Sequence, residues 1–433
     1  MAEWAVIADD LTGANTAGVL LTTHGFRALT TIQHRDLEKF KMEEYDAVVV
    51  NAASRTLDAQ EAYERVKWCT EELLSRGFKN FSKRIDSTIR GNLGAEIEGM
   101  LATLPAETVA CVVAVYPASC RMVVGGHQLV NSVPVHKTAA GSDPIKPVRS
   151  SRLAEEIAVQ TSLPQGYVEL ATVLHGSQAV AEAVGRQIQA GVRILVFDAI
   201  SFKDIRTIAE AMHSLKVEWI SVDPGPFTQN ACELAYTGKP RCIQKKKGKI
   251  FIVAGSASDI TRSQLSHLQI EAKTQIVNVD IREFLDSDGE HPSEWQIAQE
   301  IWNISQKSDI FGLRAAEHIN MVLDIKTEAK QRGITTDDVT RRITYALARI
   351  ARKTLELKVP ELKGIYLTGG DMTVAFCEEA KVDAIEVIDE VQPHATFGLL
   401  VGGPLHGVAI VTKGGLIGTP ETAMVCAKYM LSH

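Results

Sequence analysis

Short, unbroken apolar runs rich in β-branched residues recur along this chain, separated by stretches of helical periodicity. The runs are Val48–Val50, Cys111–Val115, Ile194–Phe197, Ile250–Ala254, Met321–Leu323, Ile365–Leu367 and Val408–Val411. Runs of this kind suit strands buried on both faces, because neither face can carry polar residues. Between Asp58 and Leu74, Ala62, Val66, Cys69, Leu73 and Leu74 recur at helical spacing. Between Asp337 and Leu357 the stripe is Val339, Ile343, Ala346, Leu347 and Ile350, with Thr336 as its expected cap. Alternation of strand and helix predicts an α/β protein with mainly parallel sheets flanked by helices.

A chain of 433 residues exceeds one ordinary core and predicts at least two domains. The expected boundary lies at about residues 225 to 249, a stretch rich in Pro, Gly and Lys, which gives domains 1–235 and 236–433. A second irregular stretch, Tyr116–Val148, has no clear periodicity and reads as a functional segment or lid.

Charge and composition remove several classes of function. A formal charge of -7 provides no field to attract nucleic acid. The basic run Lys245-Lys246-Lys247-Gly248-Lys249 reads as a solvated linker edge. There is no apolar run of about eighteen residues, so no membrane span is expected. Asp9 and Asp10 interrupt what would be the apolar core of a signal peptide. The 7 cysteines are scattered without a C-x-x-C pair, as expected of free thiols in a cytoplasmic protein, and argue against a zinc site.

In the first half, Trp4–Ala8 runs into Asp9, Asp10, Leu11, Thr12 and Gly13, and then into an apparent helix. Loops at the C-terminal ends of strands are where open α/β sheets bind ligands. Two adjacent acids there suit a polyol, a metal or a phosphoryl acceptor, although one of them could simply cap the helix. Lys83, Arg84, Ile85, Asp86, Ser87, Thr88, Ile89 and Arg90 pack three cations, one acid and two hydroxyls into eight positions ahead of Gly91 and Gly94. Clustered Arg and Lys suit an anionic small molecule, and Asp86 could accept a proton from a hydroxyl. Arg55 follows the Val48–Val50 strand and sits at another strand end.

Glycine-rich turns mark the second half. Gly255, Ser256 and Ser258 follow one strand; Thr368, Gly369, Gly370 and Asp371 follow another; Gly402-Gly403 and Lys413-Gly414-Gly415 complete the set. Such loops bring backbone N–H groups close to phosphate oxygens, and together they look like a nucleotide cradle. The P-loop and Rossmann fingerprints, the protein-kinase signatures, G-x-S-x-G and H-E-x-x-H are all missing. His127 and His406 sit beside glycines and read as structural or surface residues.

In order and spacing, these segments resemble the four-carbon acid sugar kinase family along nearly the whole chain. The resemblance rests on Ala8–Gly13, Asn51–Arg55, Lys83–Gly94, Val222–Pro226, Gly255-Ser256, Thr368–Asp371 and Val411–Gly415. It implies an N-terminal domain that binds a sugar acid, a C-terminal domain that binds ATP, and an active site in the cleft between them. The Lys-Arg-Ile-Asp-Ser-Thr-Ile-Arg-Gly form is similar to that of D-threonate and D-erythronate kinases, in that order of preference, ahead of 3-oxo-tetronate kinases. By the same resemblance Asp9, Asp10, Arg55, Lys83, Arg84, Ile85, Asp86, Ser87 and Arg90 would bind the acid, with Asp10 or Asp86 as the base. Gly255, Ser256, Ser258, Thr368, Gly369, Gly370, Asp371, Lys413, Gly414 and Gly415 would bind ATP, and Asp371 would help hold Mg²⁺ through water. Met372, His394, Gly414 and Ile417 depart from the usual family pattern. The resemblance is compatible with a homodimer. Two other classes, a non-catalytic sugar-acid sensor and a nicotinamide oxidoreductase, would respectively release no ADP and need no ATP.

Overall fold

The computed structural model describes residues 4–41, 44–235 and 248–432, so the expected boundary at residue 235 and Lys245–Lys247 lie at or beyond the edge of the described residues. The chain divides into two compact units, Met1–Pro240 and Arg241–His433.

In unit 1 the strands are β1 (Trp4–Ala8), β2 (Ala28–Thr31), β3 (Ala47–Asn51), β4 (Asn80–Arg84), β5 (Val109–Val112), β6 (Arg121–Val124), β7 (His127–Val130), β8 (Val133–Pro134), β9 (Gln165–Val168), β10 (Ile194–Phe197) and β11 (Trp219–Asp223). Its helices are α1 (Leu11–Thr22), α2 (Ala59–Ser75), α3 (Leu93–Leu101), α4 (Leu153–Ala158), α5 (Leu170–Leu174), α6 (Ser177–Gln189), α7 (Phe202–Ser214) and α8 (Pro226–Ala235). The main sheet runs β2-β3-β1-β4-β11-β5-β10-β9, with every pairing parallel.

Alternate residues of β1 enter two different cores. Trp4, Val6 and Ala8 pack with Ala14, Ala17 and Leu21 of α1 and with Ala231 of α8. Ala5 and Ile7 pack with Val66, Cys69 and Leu73 of α2 and with Ile97 and Met100 of α3. This is why the run is unbroken: both faces of the sheet are covered by helices. α2 matches its periodicity, with Asp58 capping it by accepting from Glu61 N at 2.8 Å. The irregular Tyr116–Val148 stretch contains a small antiparallel sheet, β6-β7-β8.

Unit 2 contains β12 (Lys249–Ala254), α9 (Asp259–Ala272), β13 (Gln275–Asn278), α10 (Ser293–Ser305), β14 (Ile310–Arg314), α11 (Ile325–Arg332) and α12 (Thr336–Glu356). It continues with β15 (Leu362–Thr368), α13 (Gly370–Glu379), β16 (Ala384–Gln392), β17 (Ala395–Val401), β18 (Ala409–Lys413) and α14 (Thr422–Ser432). Five strands pair in parallel in the order β13-β14-β12-β15-β18, and β17 and β16 extend the sheet antiparallel. The expected α/β class with mainly parallel sheets holds for both units.

Three local expectations need correction. Met321–Leu323 is not a strand: Ile319–Met321 is a single helical turn, and Leu323 is buried just ahead of α11, which Asp324 caps. The strand of that region is β14, hidden in the sequence by Gly312 and Arg314. The cap of α12 is Thr335, in a reciprocal box with Asp338, rather than Thr336. The Cys111–Val115 run leaves the sheet after Val112.

Gly312 shows how closely β12 and β14 approach each other within the second sheet. A Cβ there would lie 2.2 Å from the Ile252 carbonyl oxygen and 2.7 Å from the Ile252 Cβ. Backbone is what it would strike, so the clash has no cheap relief. Gly312→Ala should therefore cost about 1–3 kcal/mol in a urea titration; a midpoint equal to that of the wild type would show that the strands separate freely.

Candidate active site

The parallel register sets the site in unit 1. Ala8 pairs with Asn51 and with Arg84, and Arg84 pairs with Asp223, so the C-terminal ends of β3, β1, β4 and β11 lie side by side. The residues that follow, Asp9-Asp10, Ala52–Arg55 and Ile85–Arg90, are therefore brought together. Arg55 sits at the centre. Its Nε donates to Asp9 Oδ2 at 2.7 Å, its Nη1 lies 2.7 Å from Asp10 Oδ2, and its Nη2 lies 3.6 Å from Asp86 Oδ1. Arg90 grips Asp86 with both arms at 2.9 Å and reaches Asp143 at 3.0 Å.

Burial alone would raise the Asp9 carboxyl, but Arg55, then Lys83 and Arg84, outweigh it and hold the group below its ordinary range. Asp86 is likewise pushed up by burial. The Arg55 charge and the Arg90 hydrogen bonds more than reverse this and leave it far below the usual carboxylate range. Asp10 caps α1, with Oδ1 accepting from Gly13 N at 2.7 Å. Its side chain is still 29% exposed, against 2% for Asp9 and 8% for Asp86.

The two neighbouring cations of β4 have different environments. Lys83 is fully buried, and Nζ donates to Glu96 at 2.9 Å, Arg84 O at 2.9 Å and Ile7 O at 3.3 Å, which uses all three protons. It lies beneath the cluster and braces it. Arg84 has only long contacts, 3.4 Å to Asp9 and 3.6 Å to Asp10, and its buried Nε has no partner among the described residues. Gly13 makes room for it, since a Cβ there would sit 2.0 Å from Arg84 Nη1. Ile85 is buried and donates its N–H to Asp223 O, while Ser87 is half-buried and its carbonyl accepts from Gln128.

Both loops of the site hold a non-glycine residue in the left-handed region, Ala53 at φ 47° and Ile89 at φ 55°. For a β-branched residue such as Ile89 this is a true outlier, and strain of this kind persists only where surrounding bonds over-determine the backbone. Those bonds are present. Asp86 Oδ2 accepts from Thr88 N, and Asp86 O accepts from Ile89 N at 2.9 Å. Arg65 donates to the carbonyls of both Ala52 and Ala53 at 3.1 Å. The irregular stretch adds two residues that the sequence reading missed. They are Asp143 on Arg90 and Lys146, whose Nζ donates to Asn92 Oδ1 at 3.0 Å.

In unit 2, Arg314, Ala254, Thr368 and Lys413 form one row across β14, β12, β15 and β18. The loops after β12, β15 and β18 are therefore neighbours. Gly415 O accepts from Ser258 Oγ at 2.5 Å, Thr261 Oγ1 at 2.9 Å and Ser256 Oγ at 3.4 Å. Gly369 N donates to Lys413 O at 2.8 Å, and Gly369 has φ 110°, a conformation that favours glycine. Gly369 precedes α13 without a side-chain cap, and Gly370 opens that helix. Asp371, in its first turn, is exposed.

Lys413 is buried and donates to Gly414 O at 2.7 Å and Ile417 O at 2.9 Å. Burial lowers its ammonium to about 8, and no carboxylate lies within ion-pair distance among the described residues. Arg314, missed in the sequence, is buried in the same row, with Nε donating to Asn278 Oδ1 at 2.6 Å. Asn278, exposed one strand away, offered no signal for it.

The departures from the family pattern have local causes. Met372 packs against Gly255, where a Cβ would lie 2.9 Å from its sulfur. A Cβ on Gly414 would meet Ile417 Cδ1 at 2.8 Å, so these two positions constrain each other. His394 has φ 63° between β16 and β17, a conformation glycine adopts more easily. His127 and His406 are exposed; they contact Ser151 Oγ and Gly402 N respectively.

Comparison with known proteins bears on both halves. Residues 4–231 match the sugar-binding N-terminal domain family, and residues 251–423 the nucleotide-binding C-terminal domain family. The chain is 38% identical to a D-erythronate kinase of Heliobacterium modesticaldum, covering 100% of this chain and 98% of that one. It is 28% identical to a D-threonate kinase of Salmonella typhimurium, covering 96% of each. A solved Salmonella typhimurium structure described as a putative tRNA synthase shares the fold, with a TM-score of 0.82, 19% identity and 99% coverage of both chains. The chain belongs to the four-carbon acid sugar kinase family. No helix among the described residues is long and apolar enough to cross a membrane.

The lowered Lys413 ammonium implies a pH effect of known sign. Unfolded, this lysine titrates near its ordinary value of 10.5; folded, near 8. Between those values the unfolded chain binds more protons, so folding stability rises with pH. Denaturant titrations from pH 8 to 10.5 should show the wild type gaining stability relative to Lys413→Met; parallel profiles would place Lys413 in water.

Proposed function

We propose that the protein transfers the γ-phosphoryl group of ATP to the terminal hydroxyl of a four-carbon sugar acid, with D-erythronate ahead of D-threonate. The resemblance of the Lys83–Gly91 segment puts D-threonate first, but the higher identity to the D-erythronate relative reverses that order. The observation that carries the reading is Arg84. It is a buried guanidinium with only long contacts, beside carboxylates suited to hydroxyls, and an acid's carboxylate would complete its bonding.

Each residue then has a task. Arg84 and Arg55 grip the carboxylate and neighbouring hydroxyls, and Asp9 holds Arg55 in register. Asp86, clasped by Arg90, keeps that guanidinium and the Arg55 charge in place. Its depressed carboxyl makes it a poor proton acceptor. Asp10 is the more accessible acid, and we assign it the terminal hydroxyl's proton. Phosphoryl transfer needs positioning and charge neutralisation more than covalent help. Gly255, Ser256, Ser258 and the 368–371 and 413–415 loops would receive the nucleotide, and Lys413 would lend its charge to the phosphates.

No group of three or more metal-ligating side chains occurs among the described residues. That fits Mg²⁺ in a kinase, which is held largely by phosphate oxygens and water with one or two carboxylates. Asp371, exposed in the first turn of α13, is the carboxylate we assign to that purpose, and the ion would neutralise phosphate charge.

A coupled ADP-release assay across D-erythronate, D-threonate, L-threonate and 3-oxo-tetronates tests the reading; no ADP with any of them would leave a sugar-acid sensor. Asp10→Asn keeps a good helix cap and should lower kcat by about 10²–10⁴-fold. Asp86→Asn should instead mainly raise KM for the acid, and a reversed pattern would exchange the two roles. Gly13→Ala should displace the Arg84 guanidinium and weaken acid binding while ATP affinity holds; equal loss of both would indicate a folding defect.

A further inference from the structure

The Lys83–Glu96 pair lies beneath the charged cluster, and the reaction described above gives it no part. Glu96, in the first turn of α3, is 2% exposed. Its Oε2 accepts from Lys83 Nζ at 2.9 Å, and its Oε1 accepts from Ser54 Oγ at 2.5 Å. Burial raises the Glu96 carboxyl, the Asp9 charge adds to this, and Lys83 opposes it.

Each group that this pair holds adjoins a residue of the site. Ser54 precedes Arg55. The Lys83 ammonium also holds the carbonyls of Ile7, just before Ala8-Asp9, and of Arg84. Ser54 is gripped from two sides. Its hydroxyl is held by Glu96, and its carbonyl accepts from Asn92 Nδ2 at 2.9 Å. The backbone N–H groups of Ser54 and Arg55 both donate to Asp9 O, at 3.0 and 3.2 Å. Just before Ser54, Ala53 sits at φ 47°, so this loop stays in place only while its anchors hold.

The geometry points to Glu96 as a positioning residue for sugar-acid recognition: through Ser54 it fixes the loop that aims Arg55 at Asp9, Asp10 and Asp86. This rests on the sugar-acid reading of the same site. Glu96 is buried away from solvent. It sets where Arg55 points, and the Lys83 ammonium at 2.9 Å offsets its buried charge. A supporting residue of this kind acts on binding more than on the fold.

Glu96→Gln leaves Lys83 without an anion and could fail to fold, so Ser54→Ala is the primary variant; it removes one hydroxyl. Its KM for the sugar acid should rise about tenfold, with KM for ATP within about twofold and a thermal midpoint lowered only by the loss of one bond to a buried carboxylate. If Glu96→Ala, which removes the partner of Ser54 altogether, folds, adding Ser54→Ala to it should cost nothing further. A second readout needs no substrate. The Arg55 Nε–H, held by Asp9, should exchange slowly with solvent in the wild type and quickly in Ser54→Ala, followed by NMR. Unchanged KM together with unchanged Arg55 protection overturns the proposal. A wild type inactive on every tetronate overturns the kinase reading instead, and the exchange measurement then decides the role of Glu96.

Discussion

A carboxylate as deeply buried as Asp9 stays ionised only because guanidinium groups face it, and much of unit 1 is arranged around that condition. Removing one partner of a buried ion pair typically costs about 3–5 kcal/mol, because the other charge is left without compensation. Here Arg55 serves Asp9, Asp10 and Asp86 at once, and Arg90 takes up the rest of Asp86. The cluster is close to neutral and almost fully bonded within itself. Arg84 is the exception, and that asymmetry leaves one place for an outside anion.

The second unit uses the same architectural device for a different chemistry. The loops after its strands carry hydroxyls and glycines where those of unit 1 carry charges. The hydroxyls of Ser256, Ser258 and Thr261 converge on the carbonyl of Gly415, which ties the loop after β12 to the loop after β18. Lys413 is the counterpart of Arg84 in this respect. Each is a buried cation short of an anion, and each lies at the end of a central strand.

How much of this could be read from the sequence follows from burial on two faces. β1 and β3 were legible because both faces pack on helices, so every residue but Asn51 at the end of β3 is apolar. β4 was not, because Ser82, Lys83 and Arg84 are polar yet buried, and the bonds that permit this come from distant residues. Ser221 meets Ser82, and Glu96 meets Lys83. The acid and glycine motifs pointed to the right loops, since strand ends are where such residues accumulate. Sequence could not separate Lys83, which is wholly engaged, from Arg84, which is not. Asp143 and Lys146 gave no signal, because an irregular stretch has no period to read.

The strand order of unit 1 has a consequence for its biosynthesis. β4 lies between β1, which precedes it along the chain, and β11, among the last elements of unit 1. Until the ribosome has passed Asp223, the inner edge of β4 has no neighbour, and its unpaired amides are open to other nascent chains. Long-range parallel pairing is also slow to form. Yield from cells should therefore depend on chaperone supply and on translation pace, even for variants whose finished form is sound.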